Sequence, residues 1–296
     1  MMARSLLPFL VLIVLASAPL QARAESVVEP PVGADASPEH SKINTLDASP
    51  VDPGHYEIET AYAYTRAYRA WDKDSSAHRR GFTSEQAVGV TVTAGLVTDL
   101  DVALSFGHAW IQDKDHDADD DGVPGPKSGQ GLGDLGISGR YRFFHSEEQA
   151  LDLAYSGGFT LPSGTRGGDF DIGTSQAFWS FDQTLAASKD WGAWTANAAL
   201  GASLPLGGER GNARGTLTAD VAGGYQILPW LQPEVELNYS REVIASGDDA
   251  DLLAVTAGLV MPVHDSLRLL LGVQQGVWGR NADQATTLAM TVTAAF

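Results

Sequence analysis

The sequence predicts an all-β protein: a transmembrane antiparallel β-barrel of about twelve strands, with short periplasmic turns and longer extracellular loops. Three observations predict it. Apolar residues recur at every second position in segment after segment, the connections between segments alternate between short and long, and the chain stops on an alternating strand that ends at Phe296. Period two belongs to a strand with two unlike faces, because successive side chains leave opposite sides of the pleat.

Ahead of the barrel, Arg4 precedes the apolar run Leu6 to Leu15 and then Ala22-Arg23-Ala24. That order reads as a secretory signal over residues 1–24, cleaved near Ala24, and the run is too short to make a good spanning helix. Residues 25–52 are rich in Pro, Ser, Ala and acid without a sustained apolar period. Such a stretch buries too little surface to offset chain entropy, so it reads as a flexible periplasmic leader. Residues 53–296 keep one texture throughout and read as one barrel domain.

The whole chain carries 19 Lys+Arg and 37 Asp+Glu; removal of the signal takes Arg4 and Arg23 and no acid, leaving 17 against 37 and a net charge of −20. A chain of that sign does not seek phosphate backbones, which argues against nucleic acid as a partner. Cysteine is absent, so disulfides contribute nothing.

The alternation is clear in single segments. Ile58, Thr60, Tyr62 and Tyr64 share one face, and Glu57, Glu59, Ala61 and Ala63 the other; Leu100, Val102, Leu104, Phe106 and Trp110 oppose Asp101, Ala103, Ser105, Gly107 and Ala109. The rule continues through segments near 55–67, 85–97, 100–111, 133–144, 150–161, 175–187, 192–204, 215–226, 231–241, 251–262, 266–277 and 286–296. These run to about twice the ~5–6 residues usual for a soluble strand, enough to cross a bilayer at a tilt. Short connections lie at 97–99, 145–149, 188–191, 227–230 and 262–265; longer polar ones lie at 69–84, 112–131, 162–174, 205–214, 242–250 and 278–285. Turns on one rim and loops on the other are the layout of a Gram-negative outer-membrane barrel with periplasmic termini, whereas a soluble twelve-stranded barrel does not need that asymmetry. The last strand, Leu288 to Phe296, resembles the carboxy-terminal signature read by the barrel-insertion machinery.

A narrower resemblance lies in "GLGDLGISGRYRFF", residues 131–144, with its Gly-rich entry, its Asp, and its Arg-Tyr-Arg-Phe exit. This stretch, with "DPGHYEIETAYAYTR" at 52–66, "GLVTDLDVALSF" at 95–106 and "TLPSGT" at 160–165, resembles the MetA-pathway phenol-degradation family of outer-membrane proteins. The resemblance implies a transporter-like barrel passing aromatic or other small hydrophobic compounds; fold carries over from such a likeness better than cargo.

The inward parity gathers Glu57, Glu59, Asp101, Asp134, Asp152, Asp182, Asp220, Glu234 and Glu236 against Arg140, Arg142 and Arg268. Basic side chains facing hydrocarbon at the midplane cost about 2–4 kcal/mol each, and acids somewhat less, so this face lines the lumen. The expectation is a narrow or partly plugged pore that disfavours anions, with Arg140 and Arg142 paired to Asp134, Asp152 or Asp101. The alternative is a structural or surface-interaction barrel whose lumen is filled by its own side chains.

Enzyme chemistry is not expected. Ser105 and His108 lie three apart on a strand and face opposite ways, with no nucleophile-elbow context; His108 shares parity with Phe106 and Trp110, which suits an interfacial aromatic belt. The Gly-rich "TRGGDFDIGT" at 165–174 lacks a following helix and a Lys and reads as an outer loop. Asp117, Asp119, Asp121, Gly122 and the Val123 carbonyl match the first half of a calcium loop, but its twelfth position is Ser128 instead of a bidentate Glu. A weak Ca²⁺ site and a solvated acidic loop are the two readings, the second being the expectation, and no other cofactor is indicated. The expected partners are outer-membrane lipid and lipopolysaccharide, the insertion machinery through Phe296, and a small solute.

Overall fold

The computed structural model describes residues 41–114, 126–167, 171–208 and 213–296. Thirteen strands follow in order: β1 (Tyr56–Trp71), β2 (Ala77–Val97), β3 (Leu100–Asp113), β4 (Lys127–Leu132), β5 (Leu135–Ser146), β6 (Leu151–Leu161), β7 (Phe178–Trp191), β8 (Trp194–Gly208), β9 (Ala213–Tyr225), β10 (Gln232–Ile244), β11 (Ala250–His264), β12 (Leu267–Arg280) and β13 (Ala282–Ala295). Each pairs antiparallel with its neighbours, and β1 closes on β13 from Glu57↔Ala295 to Trp71↔Ala282. Closure removes the unpaired edge that no hydrocarbon environment could satisfy.

Two of the thirteen act as one stave. β4 pairs with the upper part of β3, His108 to Asp113, and β5 with its lower part, Leu100 to Ser105. The wall therefore has twelve staves, as the alternation predicts, with a break at Gly133-Asp134 inside the "GLGDL" stretch. Asp134 works at that break and not along the strand wall. Its carboxylate accepts from Gly164 N (2.9 Å), Ser175 Oγ (2.7 Å) and Gln176 N (2.8 Å), tying down the loop between β6 and β7.

The outer face is apolar: Val102, Leu104 and Phe106 on β3, Leu200 and Leu204 on β8, and Val235 and Leu237 on β10 are all exposed. On a soluble protein this would be a gross liability; around a barrel it is the lipid band. Aromatic contacts mark its two edges, Trp194 with Tyr225 at 4.7 Å near the short-turn rim and Tyr68 with Phe82 at 5.1 Å toward the other. Inside, small Ala side chains alternate with buried Thr, Asn, Gln, Asp, Glu and Arg, so the centre is a polar interior instead of an oily core.

Two expectations are revised. The long-loop rim carries less loop than expected: β1 and β2 run on to a turn at 72–76, and β12 and β13 meet around Asn281. Above the bilayer both strand faces are wet, so the period-two pattern fades there although the ladder continues. The second revision concerns the leader. Residues 25–40 lie outside the described part, but 41–52 are not a free periplasmic tail: Ser41, Lys42, Thr45, Leu46, Asp47, Ala48, Ser49 and Val51 are buried inside the barrel. This segment, the strap, crosses the lumen near its short-turn end.

Candidate permeation path

The strap is held mainly by carboxylates that the wall turns inward. On β10, Glu236 Oε1 accepts the backbone N–H of Ile43 (2.6 Å) and Asn44 (3.0 Å), while Oε2 accepts the N–H and hydroxyl of Thr45 at 3.1 and 3.0 Å. Glu234 takes a further bond from Ile43 N at 3.0 Å. On the opposite side, Asp101 Oδ2 accepts from Val51 N at 3.0 Å. Arg140, 3% exposed, reaches from β5 to Asp101 at 2.6 Å and to Asp47 of the strap at 2.8 Å. Between these ends Ala48 N donates to Ser188 Oγ at 2.9 Å, and Leu46 and Ala48 pack on Ala154, Ala186 and Ala199. A strand-less segment has its own N–H groups to satisfy when buried, and inward carboxylates and hydroxyls supply the acceptors.

Glycine makes room for it. A Cβ on Gly272 would collide with the Ile43 side chain, and one on Gly95 with the Val51 and Asp52 carbonyl oxygens. These are positions where strap and wall approach closer than any side chain permits.

Beside the strap, between it and the β3–β7 wall, lies a small recess of about 40 Å³ that is partly open to solvent. Leu46 and Ala103 give it an apolar side; Ser105, Ser138, Thr160 and Thr184 give it hydroxyls. Asp182, also in the lining, accepts from Thr160 of that set (2.7 Å) and from Ser180 (3.2 Å) and Ser203 (2.5 Å) beside it. Toward the long-loop end the bore is lined again: Arg80 pairs with Asp283 and with Asp113, Trp71 packs with Ala250, Leu252 and Ala282, and Ile172 from the β6–β7 loop sits on Ile111.

The twelve charged residues singled out from the sequence are placed as follows. Glu57, Glu59, Asp101, Arg140, Asp152, Glu234, Glu236 and Arg268 are buried in the interior, and Arg142, Asp182 and Asp220 are half-buried. Arg268 lies 4.0 Å from Glu57. Arg142 pairs with Asp99 (2.6 Å) and Asp152 (3.3 Å) near the short-turn rim, and Asp220 accepts from Asn238 at 3.0 Å. Asp134, expected in the lumen as a partner for arginine, serves the β6–β7 loop instead.

The strap residues, with Arg80 and the buried Glu85 on β2 and the buried Glu242 on β10, went unread in the sequence. Asp47 and the other strap residues have no period to mark them. Arg80, Glu85 and Glu242 fell in or next to stretches assigned to loops; Glu85 does share inward parity with Thr91 and Thr93, which was a usable signal.

Ser105 lines the recess while the His108 ring stacks on Trp110 at 4.3 Å, so the two do not converge. Asp117, Asp119, Asp121 and Val123 lie outside the described residues. Among the described residues no group of three or more His, Asp or Glu side chains is disposed to hold a metal ion.

Closed, apolar outside, polar within and strapped across one end, the chain has the architecture of an integral β-barrel of the outer-membrane type. A family model described as "Putative MetA-pathway of phenol degradation" matches residues 91–292, and the chain belongs to that family. Among solved structures, an outer membrane channel from Pseudomonas putida F1 aligns with a TM-score of 0.70 at 14% identity, covering 86% of this chain and 100% of that one. The translocator domain of the autotransporter NalP from Neisseria meningitidis aligns at 0.47 and 11% identity, covering 82% and 88%; the CymD monoaromatic hydrocarbon channel aligns at 0.46 and 7%, covering 83% and 89%. Comparison with curated proteins finds no match.

Proposed function

We propose that the protein is an outer-membrane channel for small compounds, with neutral or cationic solutes favoured over anions and small aromatic molecules as the cargo class suggested by its family. The reading supposes export through the amino-terminal signal, cleavage near Ala24 and insertion guided by the strand that ends at Phe296. One observation carries it. The interior combines an acid-rich lining with a recess that offers both hydroxyls and apolar surface beside a strap held by polar contacts, and a buried wall of that kind disfavours anions.

Liposome swelling tests this reading. Vesicles bearing folded protein are expected to admit a small neutral phenol analogue and a small amine faster than a carboxylate of equal size. Equal rates for all three, or no swelling above protein-free vesicles, would count against it. The second reading, a structural barrel, is favoured by the strap and by the Arg140 and Arg80 ion pairs, which fill much of the bore; it predicts the flat outcome.

A further inference from the structure

Most acids of the wall are closed to a passing solute. Of the Asp and Glu residues on the described strands, all are buried except Asp182, Asp190 and Asp220, which are half-buried. Asp190 is the penultimate residue of β7, at the short-turn rim. Asp182 on β7 and Asp220 on β9 share the parity of the buried Thr184 and Ala222, so their carboxylates stand within the bore. Neither has an ion-pair partner among the described residues: Asp182 accepts from Thr160, Ser180 and Ser203, and Asp220 from Asn238. Glu234, Glu236 and Asp101, by contrast, are taken up by the strap.

The ladders of β7, β8 and β9 join these two acids on a diagonal. Asp182 stands opposite Ser203; one inward row nearer the short turns, Thr184, Gly201 and Thr218 are in register across the three strands; one row further, Ala199 stands opposite Asp220. Successive inward rows lie about 7 Å apart. A Cβ on Gly201 would come 2.3 Å from Thr218 Oγ1 and 3.3 Å from Thr184 Oγ1. The two hydroxyls therefore converge over the glycine, in space that any side chain would fill. Asp182 and Thr184 also line the recess that opens to solvent. A carboxylate, a pair of hydroxyls and a second carboxylate thus follow one another down the wall.

That order suits a cation in transit. An ion that sheds water needs oxygen ligands in its place, and it moves on only if each site is weak and another lies ahead. The buried acids lend the bore its negative potential, whereas Asp182 and Asp220 are the charges an ion meets.

We propose that Asp182, Thr184, Thr218 and Asp220 form a track for small monovalent cations, with the two aspartates setting selectivity and the two hydroxyls replacing part of the hydration shell between them. The proposal rests on the channel reading above and assigns its charge preference to these residues instead of to the buried acids.

The test records folded full-length protein in planar bilayers under a potassium chloride gradient. The wild type is expected to favour potassium over chloride. D182N and D220N, which keep side-chain shape, are each expected to lower the permeability ratio about threefold, and D182N/D220N to bring it close to one. T218V, equal in volume, is expected to lower potassium conductance and keep the sign of the preference. A wild-type ratio in the folded double variant would overturn the proposal, as would undiminished conductance in T218V. A second measurement needs no conduction: the heat-unfolding midpoint on gels, as potassium replaces the bulky N-methylglucammonium at constant ionic strength. Binding raises that midpoint by mass action, so a rise is expected in the wild type and not in D182N/D220N. If the wild type is silent but shows this rise and the double variant loses it, the transport reading fails and the cation site stands. A silent wild type without the rise would overturn the site as well. Should the double variant not fold, the single variants decide.

Discussion

Arg140 has the most consequential single side chain in the interior, because it joins a wall carboxylate, Asp101, to a strap carboxylate, Asp47. Replacing it with Leu leaves two acids buried without their cation, and breaking a buried pair in this way costs about 3–5 kcal/mol. R140L is therefore expected to lower the urea midpoint of the folded barrel in detergent; a midpoint within error of wild type would show that the pair holds nothing. Glu236 acts on a smaller scale. Its carboxylate takes hydrogen bonds from four donors of residues 43–45, so E236A is expected to leave the barrel folded and expose the strap, read as faster protease cleavage within 41–52. A third expectation concerns Asp249 in the β10–β11 loop, outside the spanning strands. The Ile244 N–H and then the Arg241 guanidinium hold its carboxyl below the ordinary aspartate value of 3.8. A group whose folded pKa is depressed contributes stability that is present above its unfolded pKa and lost as pH falls through the folded one. The loop is therefore expected to stay closed at neutral pH and to loosen only below about pH 4, as amide exchange at Ile244 would show, and D249N is expected to remove that acid dependence.

The staves and the strap differ in how they are encoded. Each spanning stave announces itself by parity, because lipid on one side and polar interior on the other impose opposite chemistry on neighbouring residues. That is why Glu57, Asp101, Glu234 and Glu236 could be assigned inward from sequence. The pattern fails where the environment stops alternating. The outer continuations of β1 and β2 are wet on both faces, and β4 hides in a Gly- and Ser-containing stretch that reads as loop. The strap has no alternation at all: its conformation is dictated by acceptors on β3, β7 and β10 and by the Arg140 donor on β5, far away in sequence, so composition alone made it a free tail. Its seating nevertheless left a trace, in glycines at strand positions where a Cβ would first meet the strap. G272V adds a side chain where the three nearest atoms to its Cβ all belong to Ile43. It is expected to raise conductance by dislodging the strap while the β11–β12 and β12–β13 ladders persist; unchanged conductance from a folded variant would mean that the strap does not limit passage.

Taken whole, the molecule separates its chemistry radially: an apolar face outside and a carboxylate-rich polar interior, with a segment of its own chain laid across the bore. The closed ladder accounts for the first separation, since a barrel satisfies every backbone group while leaving each strand two independent faces. The acid-rich interior is the ground for the proposed solute preference, because the buried carboxylates outnumber Lys42, Arg140 and Arg268 among the buried residues. Single-channel recording across a planar bilayer, with a tenfold salt gradient and folded full-length protein, tests this most directly. The account predicts small conductance steps whose reversal potential has the sign of cation preference, and larger steps once the strap is dislodged by G272V. Silence at all voltages from both proteins, or a reversal potential of the anion-selective sign, would contradict it.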